Sequence, residues 1–152
     1  MQWLEHQIPP PVVGLLCAVG MWAAAPAQQW SSLGLLHWAL GLALVGAGLA
    51  FDVLGLLAFR RAQTTINPLS PGKASHLVAT GVYRVTRNPM YVGMALVLCG
   101  WAVLLASLPV ALGPVAFVAF ITRFQIVPEE RFLAAKFGDD YARFCQQVRR
   151  WL

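Results

Sequence analysis

Four apolar runs divide the chain, and each is closed by polar or helix-breaking residues. They predict membrane-spanning helices at about 12–26, 33–59, 90–108 and 110–127. The first follows Pro9-Pro10-Pro11, read as a stop, and is close to the lower limit for crossing a bilayer. Gln28-Gln29-Trp30-Ser31-Ser32 separates it from the second run, which Arg60-Arg61 closes. Ser107-Leu108-Pro109 is so short a turn that the third and fourth runs read as a helical hairpin, which Pro128 is expected to end. Beyond it, Phe132, Leu133, Lys136, Phe137, Tyr141, Phe144, Val148, Trp151 and Leu152 recur at three and four residues. This spacing predicts two short amphipathic helices within 129–152, with Gly138 ending one and Asp139 capping the next. The expected fold is an all-α integral membrane domain over residues 1–152: four transmembrane helices, a cytoplasmic loop at 60–89 and the C-terminal amphipathic helices.

Composition supports this reading: 59% of the 152 residues are hydrophobic and 11% charged, with a mean hydropathy of +0.64. The placement of positive charge adds an orientation. All eleven Lys and Arg lie in or after the 60–89 loop: Arg60, Arg61, Lys73, Arg84 and Arg87, then Arg123, Arg131, Lys136, Arg143, Arg149 and Arg150. With four spans, the loop and the tail share one side, the cytoplasmic side of the inner membrane, and both termini lie there. The net charge of +5 is thereby explained by topology and anionic lipid, without nucleic acid. Glu5, with no Lys or Arg before the first run, argues for a retained helix rather than a cleaved leader. Cys17, Cys99 and Cys145 show neither a disulfide framework nor metal spacing.

The chemistry concentrates in Gly81-Val82-Tyr83-Arg84-Val85-Thr86-Arg87-Asn88-Pro89-Met90-Tyr91-Val92-Gly93. Asn88-Pro89 predicts a helix start, with Asn capping and Pro at the first position. That helix directs its positive end at the basic loop. Gly93 permits a close approach to the first turn. Glu129-Glu130 ends the fourth run, and the hairpin brings this pair beside the motif. Two carboxylates then face arginines, tyrosines and a helix N-terminus at the membrane boundary. Such a cluster suits a ligand carrying both signs of charge. It equally suits an Arg–Glu cluster that closes the bundle, and Arg and Tyr also serve as interface anchors.

The run from Tyr83 to Gly93, then Pro128-Glu129-Glu130, Phe137-Gly138-Asp139-Asp140-Tyr141 and Val148-Arg149-Arg150, resembles the isoprenylcysteine carboxyl methyltransferases and the related phospholipid methyltransferases. The resemblance covers roughly Arg60 to the C-terminus. It implies a membrane-embedded enzyme that uses S-adenosylmethionine without a Rossmann fold. Arg87, Pro89 and Tyr91 match the cofactor-binding segment, in which Tyr83, Asn88 and Gly93 also lie. Glu129 and Glu130 match the paired glutamates that hold the cofactor's amino end. Asn88 stands where the carboxyl methyltransferases usually carry His, whereas phospholipid methyltransferases can carry N-P-M-Y there. Gly46-Ala47-Gly48 resembles a G-x-G of the phospholipid branch, although such a pair in an apolar helix is more often packing.

The residue chemistry agrees with a sulfonium cofactor. Glu129 or Glu130 pairs an ammonium, Arg87 or the helix N-terminus holds a carboxylate, and Tyr91 or Tyr83 faces the sulfonium. Methyl transfer depends on alignment and on exclusion of water, and a lipidic or small hydrophobic acceptor enters from the membrane. Asp52 lies eight residues before Arg60, roughly 12 Å deep at 1.5 Å per residue. It either orients the acceptor or pairs with a loop arginine. His76 is a candidate base, so the catalytic candidates are Arg87, Glu130, Asp52 and His76. Two other readings remain: an NADPH-dependent membrane reductase of sterol-reductase-like architecture, and a non-catalytic membrane subunit.

Overall fold

A computed structural model describes residues 5, 7–26, 33–61 and 78–152. Helix α1 spans Pro10–Ala24, α2 Leu35–Arg61, α3 Pro89–Leu105, α4 Leu112–Ile121 and α5 Val127–Gln147. A 3-10 turn, Gly81–Arg84, precedes α3, and a second, Leu108–Ala111, joins α3 to α4. A π turn, Thr122–Ile126, joins α4 to α5 without a break. Among the described residues there is no strand.

The second helix and the continuous helical path Leu108–Gln147 are each long and apolar enough to cross a membrane, and α1 and α3 are shorter apolar helices. Leu15, Leu16, Trp22, Leu35, Leu36 and Leu112 all point outward, Leu35 being 86% exposed. A surface this apolar needs lipid as its solvent, and the chain is an integral membrane protein.

Two sequence expectations are corrected. Pro10 and Pro11 do not precede the first helix but occupy its first turn, where a missing N–H costs nothing. Pro128 does not end the fourth helix. It would deprive the Phe124 carbonyl of its α-helical donor. The chain instead widens into the π turn just before it, where the Val127 N–H reaches back to the Thr122 carbonyl. The tail agrees with the expected two helical segments: α5 breaks at Gly138 (φ 50°, ψ −122°), a conformation that suits glycine, and helix resumes from Asp139. The hairpin of α3 and α4 is present, turning at Ala106 in the left-handed region.

The third helix is central, packing on α1, α2 and α4. Its antiparallel contact with α2 is a glycine seam: the buried residues of α2 are Gly41, Gly48 and Gly55, at heptad spacing. A Cβ on Gly48 would lie 2.5 Å from the Gly93 carbonyl, and one on Gly100 2.6 Å from the Gly41 carbonyl. The two backbones are therefore in contact, which only small residues allow. Gly46 meets nothing, so of the Gly46–Gly48 pair only Gly48 packs. A first core joins Val13 and Met21 of α1 to Leu105, Phe117 and Ile121. A second joins Val78, Tyr83, Tyr141, Phe144 and Val148, tying the tail to the segment before α3.

The seam sets a prediction. Gly48→Ala should lower stability by about 1–3 kcal/mol through overpacking, whereas Gly46→Ala should be neutral or stabilising. Thermal unfolding in mild detergent compares the two, and equal effects would contradict the seam.

Candidate functional site

The site forms where the start of α3 meets the start and end of α5. Pro89 opens α3, and Asn88 holds the capping position without capping: its side-chain amide donates to the Arg150 carbonyl at 2.9 Å. The expected Asn cap is thus replaced by a bond to the tail. Thr86 is fully buried; its hydroxyl donates to the same carbonyl at 3.2 Å and accepts from the Asn88 N–H. The Arg87 N–H donates to the Arg149 carbonyl at 2.9 Å. Three consecutive residues therefore stitch the motif to residues 149 and 150.

Arg87 is the centre of this stitching. Its guanidinium donates to the Cys145 and Val148 carbonyls at 3.1 and 2.7 Å and to a Glu130 carboxylate oxygen at 2.9 Å. Its Nε is buried without a partner. Arg150 grips the same carboxylate with two bonds, at 3.0 and 2.7 Å. Glu130 is therefore shared by two guanidiniums. Burial pushes its carboxyl upward, but the bonds from Arg150 and Arg87 outweigh this and hold it below its ordinary value. Thr86 and Arg150 are site residues that sequence reasoning misses. The Arg149-Arg150 pair in the tail is the only signal, and its partner lies twenty residues away.

Glu129, the adjacent residue, differs. One carboxylate oxygen accepts the Tyr91 hydroxyl at 2.8 Å, and among the described residues no guanidinium pairs with it. It lies beyond the apolar stretch that ends at Val127. Burial pushes its carboxyl up to about 7; the Tyr91 bond opposes this and the charge of Glu130 adds to it. Tyr83 is also close enough to feel Glu129: burial and that charge push its hydroxyl above the ordinary range. The Tyr83 ring meets Phe59 of α2 edge-on, with centroids 5.4 Å apart. The structure thus brings Tyr83, Arg87, Asn88, Pro89, Tyr91, Glu129 and Glu130 to one end of the bundle.

Gly93 and Asp52 lie on the opposite side of α3, at the seam. A side chain at Gly93 would collide with the Asp52 carboxylate, so the glycine makes the slot in which Asp52 sits. Asp52 Oδ1 is buried without a hydrogen-bond partner, and among the described residues no ion pair reaches it. His76 and Lys73 lie outside the described residues.

The two glutamates should respond differently to substitution. Glu130→Gln, which leaves Arg87 without its counter-ion, and Arg87→Ala, which removes one of the two guanidiniums on Glu130 and the donor to two tail carbonyls, should each cost about 3 kcal/mol of stability. Glu129→Gln should leave stability unchanged or raise it at about pH 8. The sign follows from its position above the ordinary carboxylate range: Glu129 favours the fold while protonated, and that contribution is lost as pH rises through about 7. Unfolding of the three variants in detergent tests the division.

Known proteins resemble this chain in sequence. A family model described as phospholipid methyltransferase matches residues 36–140, more than half of the chain. An uncharacterized protein of Haemophilus influenzae is 44% identical over 63 residues, its full length and 41% of this chain. A probable protein-S-isoprenylcysteine O-methyltransferase of Oryza sativa subsp. japonica is 31% identical over 116 residues, 74% of this chain and 59% of that protein. Protein-S-isoprenylcysteine O-methyltransferase A of Arabidopsis thaliana is 31% identical over 118 residues, again 74% of this chain and 58% of that protein. The chain thus spans less than two thirds of the length of these plant relatives. No solved structure matches. With the family model covering α2, α3, the π turn and the paired glutamates, the chain belongs to the phospholipid methyltransferase family.

Proposed function

We propose that the chain transfers a methyl group from S-adenosylmethionine to a lipidic or small hydrophobic acceptor at the cytoplasmic face of the membrane. In this reading the chain is a single domain with four spans and both termini cytoplasmic. The observation that carries the reading is the division of labour between the glutamates. Glu130 is neutralised by Arg87 and Arg150, whereas among the described residues Glu129 keeps a carboxylate bound only by the Tyr91 hydroxyl. An anion beside two phenol rings is complementary to a ligand with an ammonium and a sulfonium. It is a poorer match for the phosphates of NADPH, because Arg87 and Arg150 are already committed to Glu130.

When bound, the cofactor supplies a methyl group on a positively charged sulfur. Glu129 holds its ammonium, Tyr91 and Tyr83 line the sulfonium, and the N-terminus of α3 favours its carboxylate. Arg87 and Glu130 act by clasping the tail over the site, which excludes water. Asp52, unpaired among the described residues and seated in the Gly93 slot, orients the acceptor from the membrane side. A carboxylate oxygen without a partner among the described residues favours an acceptor that donates a hydrogen bond.

Calorimetry in mild detergent tests this, with NADPH as the comparison. S-adenosylmethionine should bind saturably, and Glu129→Gln should abolish binding while the variant stays folded. Binding of NADPH alone would move the protein to the reductase reading, and binding of neither to the structural one. Because only ionised Glu129 pairs an ammonium, affinity for S-adenosylmethionine should rise as pH increases through about 7. A flat profile would exclude Glu129 as the partner.

A further inference from the structure

The π turn is held from both ends of the chain by residues outside the segment that the family model covers. The fully buried Gln125 donates its amide to the Ile8 carbonyl at 2.8 Å. Arg123 and Arg131, on either side, reach the Glu5 carboxylate at 3.2 and 3.8 Å. From the other side, the Trp151 indole N–H donates to the Thr122 hydroxyl at 3.2 Å. The two ion pairs are half exposed on the arginine side and hold weakly by themselves. The buried amide bond is the firmer tie.

The turn sets the rotational phase of α5. Relative to an unbroken α-helix, a π turn inserts one extra residue, so every residue C-terminal to it is rotated by about 100°. Glu129 begins within three residues of the turn's end. Had the turn relaxed to an α-helix, its carboxylate would have swung away from Tyr91.

We propose that Gln125 and Glu5 are positioning residues: with Ile8 they form a strap that locks the π turn, so that Glu129 stays against Tyr91 and directed into the site. The segment before α1 thereby acts on the cofactor end of the bundle without touching it. This rests on the reading of Glu129 as the ammonium partner. The groups that face Glu129 are Tyr91 from α3, Tyr83 from the 3-10 turn and Glu130 on its own helix.

The test uses the full chain in detergent and two readouts. The first needs no ligand: infrared titration of the protonated carboxyl band that Glu129→Gln removes. The second is calorimetric affinity for S-adenosylmethionine. Gln125→Met keeps the volume and loses the bond to Ile8; Glu5→Gln loses the charge with little change in shape. In both, the Glu129 band should titrate lower, toward the ordinary carboxylate range, as the carboxylate loosens into solvent. Affinity should fall about fivefold or more, the scale of remote coupling, with Gln125→Met the stronger. Exchanging the charges, Glu5→Arg with both Arg123→Glu and Arg131→Glu, should restore the band. A titration unchanged from the parent in folded Gln125→Met and Glu5→Gln would overturn the strap. A parent that titrates as described yet fails to bind S-adenosylmethionine would overturn the cofactor reading and leave the strap standing.

Discussion

One carboxylate, Glu130, is the fastening on which the polar end of the molecule depends. Two guanidiniums reach it from opposite directions, Arg87 from the segment before α3 and Arg150 from the tail. A charge in such surroundings is tolerable only when its partners and remaining hydrogen bonds are in place. Arg87 meets that condition by also donating to two carbonyls of the tail, so ion pair and backbone closure form together. The tail cannot leave without breaking the Arg150–Glu130 pair and stripping Arg87 of two carbonyl partners.

This fastening frees the neighbouring residue. If the two glutamates shared the arginines, neither would keep a charge for a ligand. The kinked helix instead presents Glu130 to the arginines and Glu129 to the tyrosines. Adjacent carboxylates are thus driven apart in ionisation, one down and one up. That separation is what distinguishes a structural ion from one available for binding.

The apolar body follows a different rule. In lipid, no hydrophobic force drives helices together, and contact comes from backbone approach. The Gly41, Gly48 and Gly55 seam of α2 provides that approach along α3. The same seam leaves room at Gly93 for Asp52, a carboxylate that such a tight interface would otherwise exclude. Packing and candidate chemistry therefore use the same absence of side chains.

The sequence by itself determined the apolar helices, the short α3–α4 turn and the convergence of the Arg87 motif with Glu129-Glu130. These arise from local pattern: run length, breaker residues and clustered charge act over a few positions. The functions of individual residues did not. Asn88 has the identity of a cap, yet bonds a carbonyl sixty-two residues away. Pro128 has the identity of a terminator, yet the chain absorbs it in a π turn braced by Glu5, Ile8 and Trp151. Glu129 and Glu130 are interchangeable as letters in a sequence. Which one pairs with arginine depends on the phase of a helix after that turn, and phase is set by long-range hydrogen bonds. Only the tertiary structure decides such bonds, because their donors and acceptors are far apart in the chain and meet only once the bundle has closed.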